Sequence, residues 1–171
     1  MSSYILDASH SSIGFSVRHL MISKVHGRFA SVRANLELGD APKVSAEIDM
    51  NSVDTREEKR DGHLKSADFF DVENFPTMRF VSTGVEGATS GEFTLHGDLT
   101  LRGVTKSIAL KVENLGAAKD PWGNEKIAFE ARGTINRMDF GVKWNAAIEA
   151  GGVVVSEKVE LVLDLQFVKQ G

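Results

Sequence analysis

Apolar and polar residues alternate along most of this 171-residue chain. The stretches 91–102, 107–114, 126–135 and 158–167 each place an apolar or small residue at every second position. Successive side chains of a β-strand point to opposite faces, so this period of two predicts antiparallel strands with one buried and one solvated face. Short clusters of Gly, Pro, Asp and Ser separate the strands. We count about eight to nine strands and predict an all-β chain.

Long antiparallel strands within one small domain either stack as a sandwich or close into a barrel, and closure removes the exposed sheet edges. No linker, repeat or low-complexity run divides the chain, which predicts one domain over residues 1–171. Up to Phe29 the apolar residues stand at odd-numbered positions, and from Val32 onward they stand at even-numbered positions. We therefore predict a bulge or a sharp bend at this point.

Composition excludes several classes of function. Lys and Arg number 20 against 24 Asp and Glu, so the net charge of -4 offers nucleic acid no general attraction. The chain has no cysteine, which excludes disulfides, thiolate nucleophiles and Cys-ligated metal centres. No apolar run approaches the roughly 18 residues of a membrane-spanning helix, and no signal-like stretch is visible. We expect a cytoplasmic protein that binds no nucleic acid and has no transmembrane segment.

One stretch in the middle of the chain lacks the strand pattern and is dense in charge. Asp54 or Thr55 is suited to cap a helix, with Glu57 and Glu58 placed for a reciprocal capping contact. Acidic residues early in the stretch and basic residues later match the helix dipole. We predict a short helical insert near residues 55–70 that forms a lid or rim over a barrel mouth.

Two polar residues continue apolar series on buried faces. His19 extends the series that ends at Val17, and Arg137 extends the series that ends at Ile135. A lone inward Arg is costly unless it is paired, so it implies a buried carboxylate, an anionic ligand group or a strand end at solvent. Three roles fit these two positions: a strand end near water, an anchor for a ligand head group, or a catalytic group.

Signatures of catalysis and metal binding are absent from the sequence. Asp61 and His63 are the residue types of a general-base pair, but residues two apart on a helix do not face each other. Arg60 and Asp61 can instead make structural contacts that tie the insert to the barrel. The five His residues have no metal-ligand spacing, and no GxSxG, P-loop or GxGxxG motif is present. We predict no catalytic residue, no metal and no cofactor.

Small residues on the inward faces bear on whether the barrel is filled. An eight-stranded barrel is just wide enough to be plugged by side chains or to hold one small ligand. Ala46, Gly97, Ala131 and Gly133 leave space that large neighbours must fill or a ligand must occupy. A filled core and a cavity both fit this pattern.

Several motifs, taken together, resemble the YceI-like family over essentially the whole chain. An RDxHL element, a DFFD element and a later GxLTxxGVTK element are highly specific as a set. The matching pieces are Leu6-Asp7, His10-Ser11, Phe15–Leu20, Gly27–Phe29, Asp54-Thr55, Arg60-Asp61, His63-Leu64, Asp68–Asp71, Pro76, Phe80, Gly97–Thr100, Gly103–Lys106 and Arg137–Gly141.

The resemblance implies an extended lipocalin-like antiparallel β-barrel of about eight strands with a long apolar cavity. It also implies binding of a polyisoprenoid or similar long-chain amphiphile, and it leads us to expect a homodimer. Many relatives are periplasmic, and this chain departs from them in showing no signal. The family motif defines no catalytic residues. The predicted ligand-binding residues are Phe15, His19, Phe29, Phe69, Phe80, Phe93, Leu95, Leu99, Phe129, Ile135 and Arg137.

The leading functional hypothesis is therefore a binding or carrier protein that shields an isoprenoid-like or fatty-acid-like lipid from water. One alternative is an enzyme that acts on a lipophilic substrate through an Asp–His or Arg-assisted site. A second alternative is a structural barrel with a solid core and no ligand.

Overall fold

The computed structural model describes residues 2–145 and 154–171. These residues form eleven β-strands and one α-helix, with short 3-10 turns between some of the strands. The elements are β1 (Ser2–Leu6), β2 (Ser12–His19), β3 (Ser23–Phe29), β4 (Val32–Leu38), β5 (Lys43–Asp49), β6 (Val53–Asp54), α1 (Glu58–Lys65), β7 (Thr77–Gly87), β8 (Glu92–Leu101), β9 (Val104–Lys119), β10 (Glu125–Asn136) and β11 (Lys158–Gln170).

All strand pairs are antiparallel, and the sheet closes on itself through β11. One edge of β11 pairs with β10, while the other edge pairs with β2 along residues 160–164 and with β1 along residues 167–170. Strands β1 and β2 therefore occupy one barrel position in tandem. In the same way β3 and β4 share one position, and β5 and β6 share another. Eleven strands thus fill eight positions, which confirms the predicted barrel of about eight strands.

The break between β3 and β4 lies where the sequence pattern changes phase. Ala30 and Ser31 separate the two strands, and the chain bends while it stays in the same barrel position. The amide of Ala30 donates to the carbonyl oxygen of Ser52 at 3.1 Å, and the amide of Asp49 donates to that of Ser31 at 3.0 Å. These bonds satisfy backbone groups at the bend, so both halves keep their apolar residues inside.

The helical insert lies where the sequence predicts it, but its cap is different. The prediction that Asp54 or Thr55 caps the helix is wrong, because the Glu57 carboxylate accepts from the amides of Lys59 and Arg60. A carboxylate at this position also complements the positive end of the helix dipole. Helix α1 is short and has no buried residue, so its position depends on side-chain contacts with the barrel.

Contacts of Thr55, Arg60 and Asp61 fasten α1 to the end of β6. The Asp61 carboxylate accepts from the amide of Thr55 at 2.8 Å and from its hydroxyl at 2.5 Å. The Arg60 guanidinium donates to the hydroxyl and the carbonyl oxygen of the same threonine. Arg60 and Asp61 therefore have the structural role that the sequence left open for them.

Large side chains fill the space beside two inward-facing glycines. The Phe80 ring covers Gly97, and Leu110 packs against Gly133, so a β-carbon at either glycine would collide with its neighbour. The buried hydrophobic residues line the inner face of the sheet around the whole barrel. Over the described ranges, no helix is long and apolar enough to cross a membrane.

We expect Gly97→Ala to destabilise the barrel by about 1–3 kcal/mol, the usual cost of overpacking a core. Its new β-carbon would lie against the Phe80 ring and 2.8 Å from the carbonyl oxygen of Val81, which is rigid backbone. Gly84→Ala is the control, since a β-carbon there meets nothing within 4 Å. Urea unfolding of both variants measures the difference, and equal stabilities would contradict the packing argument.

Candidate ligand-binding cavity

The barrel has two distinct ends. The helix end carries the 20–22 loop, the insert with α1, the turn at 102–103 and the segment that follows β10. The termini end carries both chain termini and the loops at 39–42, 88–91 and 120–124. These names are used below for the two ends.

An elongated cavity of about 700 Å³ occupies the inside of the barrel. Its walls come from the inward faces of all eight barrel positions, and its lining extends from Leu38 and Thr89 at the termini end to His19 and His63 at the helix end. The volume lies within the range of about 300–1,000 Å³ that is usual for small-molecule sites. Large neighbouring side chains fill part of the space beside the small inward residues, yet the interior remains hollow.

All eleven residues predicted from the sequence to bind ligand line this one cavity. Their contact with a ligand stays a prediction. They are Phe15, His19, Phe29, Phe69, Phe80, Phe93, Leu95, Leu99, Phe129, Ile135 and Arg137.

Phenylalanine rings form two groups along the cavity. Near the termini end, the Phe129 ring contacts Phe93 and Phe167 in edge-to-face geometry, with centroids 6.4 and 6.2 Å away. Toward the helix end, Phe29 packs against Phe15 at 5.4 Å. Such aromatic pairs add about 0.5–1.5 kcal/mol each beyond their burial. The walls of the cavity are therefore apolar and well ordered at both ends.

An aromatic cluster of His63, Phe69 and Trp144 connects the insert with the segment after β10. The ring centroid of His63 lies 5.0 Å from that of Phe69 and 4.9 Å from that of Trp144. The imidazole Nε2 also lies 2.9 Å from the Asp68 carboxylate. Arg102 joins the same two segments, because its guanidinium donates to the carbonyl oxygens of Ala67 and Gly141.

Arg137 is buried and bonded to backbone. Its guanidinium donates to the carbonyl oxygens of Val142, Trp144, Val155 and Ser156 at 2.8–3.2 Å. Four of its five N–H groups thus link residues 142 and 144 with residues 155 and 156. Burial lowers the pKa of the guanidinium, while the nearby Glu157 carboxylate acts in the opposite direction. The sequence suggested a buried carboxylate, an anionic ligand group or a strand end at solvent for Arg137, whereas its partners in the structure are backbone carbonyl oxygens.

Among the described residues, polar side chains lie toward the ends of the cavity, such as His19 at the helix end and Thr89 at the termini end. Across the part of the chain that the structure describes, every buried side-chain nitrogen or oxygen has a hydrogen-bond partner. At the helix end, His19 lies on the inward phase of β2 and lines the cavity, and its side chain makes no hydrogen bond with any described residue. Recognition of a polar ligand group therefore belongs at an end, while the walls offer apolar contact.

A smaller cleft of about 270 Å³ lies on the outside, where β9 and β10 separate. The ladder between these strands ends at the pair Arg132–Lys111. Ile108 and Ile135 line both the cleft and the inner cavity. At this place side chains, rather than backbone hydrogen bonds, separate the cavity from solvent.

Sequence reasoning missed several residues of the cavity. Every second residue of β11 from Val159 to Phe167 lines it, and the alternation that predicted a buried face for this strand could have identified them. Arg18 borders the cavity, but it lies on the opposite phase from His19 and is exposed, as the strand pattern predicts. Trp144 lies in an irregular segment, and no local pattern places it against the cavity.

The closed antiparallel barrel with its apolar interior is a lipocalin-like barrel. A family model described as a YceI-like domain matches residues 4–167, and the chain belongs to this family. The resemblance seen in the sequence motifs is thereby confirmed.

Individual relatives agree with this assignment. A UPF0312 protein of Staphylococcus aureus (strain MSSA476) is 36% identical over 172 residues, with 98% of each chain covered. The crystal structure of the Campylobacter jejuni YCEI protein superposes with a TM-score of 0.76 at 30% identity, covering 90% of each chain. A polyisoprenoid binding domain from Saccharophagus degradans has a TM-score of 0.72 at 20% identity, covering 98% of each chain, and so shares the fold.

We expect Arg137→Met to destabilise the protein by about 3 kcal/mol or more, because an unpaired buried carbonyl costs about 1–3 kcal/mol and four lose their donor. Arg132→Met is the matched control, since Arg132 is an exposed residue of β10, the strand just before Arg137, and pairs with Glu130. A surface change of that kind costs within about 0.5 kcal/mol. Chemical unfolding compares the two variants, and a similar small loss in both would refute the structural role of Arg137.

Proposed function

We propose that this protein binds a polyisoprenoid or a similar long-chain amphiphilic lipid inside the barrel and shields the chain from water. The observation that carries the proposal is the cavity of about 700 Å³ whose lining runs between the two ends of the barrel. Its walls are built almost entirely of Leu, Ile, Val, Phe and Ala side chains. A long, narrow apolar space fits an extended hydrocarbon chain better than a compact polar molecule.

Burial of the hydrocarbon supplies the free energy of binding. Each methylene removed from water contributes about 0.8 kcal/mol, so one five-carbon unit contributes about 4 kcal/mol before the cost of immobilisation. A few such units exceed the loss of translational and rotational freedom and leave roughly micromolar or better affinity. Methylene groups carry no directional information, so the walls tolerate chains of different identity.

Specificity then comes from polar groups at the helix end. His19 lines the cavity there with a side chain that makes no hydrogen bond with any described residue. Arg18 borders the cavity from the opposite phase of β2, and its charge acts on the Glu160 carboxylate. Arg137 has one N–H group left after its four backbone bonds. The proposal therefore assigns the ligand head group to His19, and it gives Arg137 mainly the task of shaping the cavity wall.

The Saccharophagus degradans relative, described as a polyisoprenoid binding domain, supports the choice of ligand class. The enzyme hypothesis lacks a comparable observation. Asp61 bonds to Thr55, and the imidazole of His63 bonds to Asp68, so the two residues do not form an Asp–His pair with each other. A binding protein is thus the better account of this site. A homodimer and a cytoplasmic location stay predictions from the sequence.

Solvent extraction of the purified protein followed by mass spectrometry tests the proposal directly. We expect a long-chain lipid at about one molecule per chain, because one continuous apolar cavity holds one extended ligand. The same protein unfolded, washed and refolded without lipid is the control. A refolded protein that takes up no long-chain lipid when it is supplied would exclude the carrier function.

Uptake of a fluorescent long-chain probe tests the position of the ligand. We expect Phe129→Glu to weaken uptake at least about 100-fold, because a buried unpaired carboxylate costs several kcal/mol. Ala128→Glu places the same charge on the outer face of the same strand and serves as the control. Ala46→Phe narrows the cavity without adding charge, which keeps the test valid if Phe129→Glu unfolds. Unchanged uptake in a folded Ala46→Phe protein would count against the cavity as the site.

A further inference from the structure

The loop between β2 and β3 exposes three consecutive large apolar residues at the helix end. Leu20 is 38% exposed, Met21 60% and Ile22 78%. Single exposed apolar residues are common, whereas a run of three at the tip of a hairpin is an exposed patch that indicates an interaction site. We call these three residues the apolar tip.

Backbone bonds hold the apolar tip in an uncommon conformation. Leu20 and Met21 have positive φ angles of 53° and 64°, which residues other than glycine rarely adopt. The amide of Leu20 donates to the carbonyl oxygen of Val154 at 2.8 Å, and the amide of Ile22 donates to that of His19 at 3.2 Å. The chain therefore accepts local strain and still presents apolar side chains to solvent, a combination that occurs at functional sites.

Charge around the apolar tip differs from that of the whole chain. The hairpin from Ser12 to Phe29 contains Arg18, Lys24 and Arg28 and no Asp or Glu, although the chain carries a net charge of -4. Lys24 pairs with Glu160 and Arg28 pairs with Asp54 on neighbouring strands. Arg18, the charged residue nearest the tip, forms no close ion pair with any described residue, although its charge helps to lower the pKa of the Glu160 carboxyl group. The hairpin itself thus carries positive charge beside an apolar protrusion, and Glu160 and Asp54 on neighbouring strands offset part of it.

The apolar tip is also continuous with the cavity. Arg18 and His19 immediately precede it, and both line the cavity, as do Val17 and Val25 farther along the same hairpin. Whatever the tip contacts is therefore brought next to the helix end of the cavity.

The size of the patch limits what can occupy it. A stable protein–protein interface buries at least about 1,000 Å² in total, which a three-residue tip does not supply. Shallow insertion of a few aliphatic side chains into a bilayer, helped by basic residues at an anionic surface, is enough for reversible binding. We propose that the β2–β3 hairpin docks the helix end of the barrel on an anionic lipid bilayer. This inference rests on the proposed function, because docking would bring the cavity to the membrane that holds its lipid.

Co-sedimentation with vesicles of phosphatidylcholine and phosphatidylglycerol tests the docking. The variant Met21→Asn/Ile22→Asn removes the apolar side chains, and Asn tolerates the positive φ at residue 21. We expect bound protein to fall at least about 10-fold, while uptake of a soluble long-chain probe stays at the wild-type level. Trp122→Asn is the matched control, because Trp122 is 84% exposed but lies at the termini end.

Each outcome of this experiment tests either the docking proposal or the proposed function. Wild-type protein that does not sediment with these vesicles, or a double variant that sediments as well as wild type, overturns the docking proposal. Loss of sedimentation in Trp122→Asn but not in the double variant also overturns it, because the opposite end would then bind. Failure of wild-type protein to take up the soluble probe would instead defeat the proposed function, whatever the vesicles show.

Discussion

The hydrogen-bonded ladder between β11 and the tandem pair β1 and β2 is the constraint on which the rest of the molecule depends. It closes the described sheet into a barrel, and it sets the number of barrel positions at eight. That number determines an interior that is wide enough for one ligand and narrow enough for side chains from opposite walls to contact. The cavity and its aromatic groups both follow from this width.

Within that cylinder, the interior and the ends have different chemistry. The walls are apolar because every inward position belongs to an alternating strand, and every buried side-chain polar atom in the described residues is paired. The loops at the two ends need not satisfy a ladder. Polar groups that are free to meet a ligand therefore occur at the ends, and a lipid bound there would be recognised by its head group and held by its chain.

The helix end shows how a buried charge can serve structure. Arg137 lies on the inner face of the barrel, but carbonyl oxygens on both sides of one segment surround its guanidinium. Arg102 joins that segment to the insert in a similar way. Because these arginines are engaged by backbone, they stabilise the helix end, while the apolar tip on the same end is exposed to solvent.

The alternation of residues by itself determined the all-β class, the inward face of each strand, the bend near residue 30 and a helical insert near residues 55–70. A period of two is a local property, so the face of a side chain follows from its position in the strand. The motifs as a set also identified the family. Three features depended on the tertiary structure: the tandem sharing of barrel positions, the partners of Arg137 and the place of Trp144 against the cavity. Each joins residues that are distant in sequence or lie in irregular segments, and no local pattern records which backbone oxygen or ring will lie opposite a given side chain.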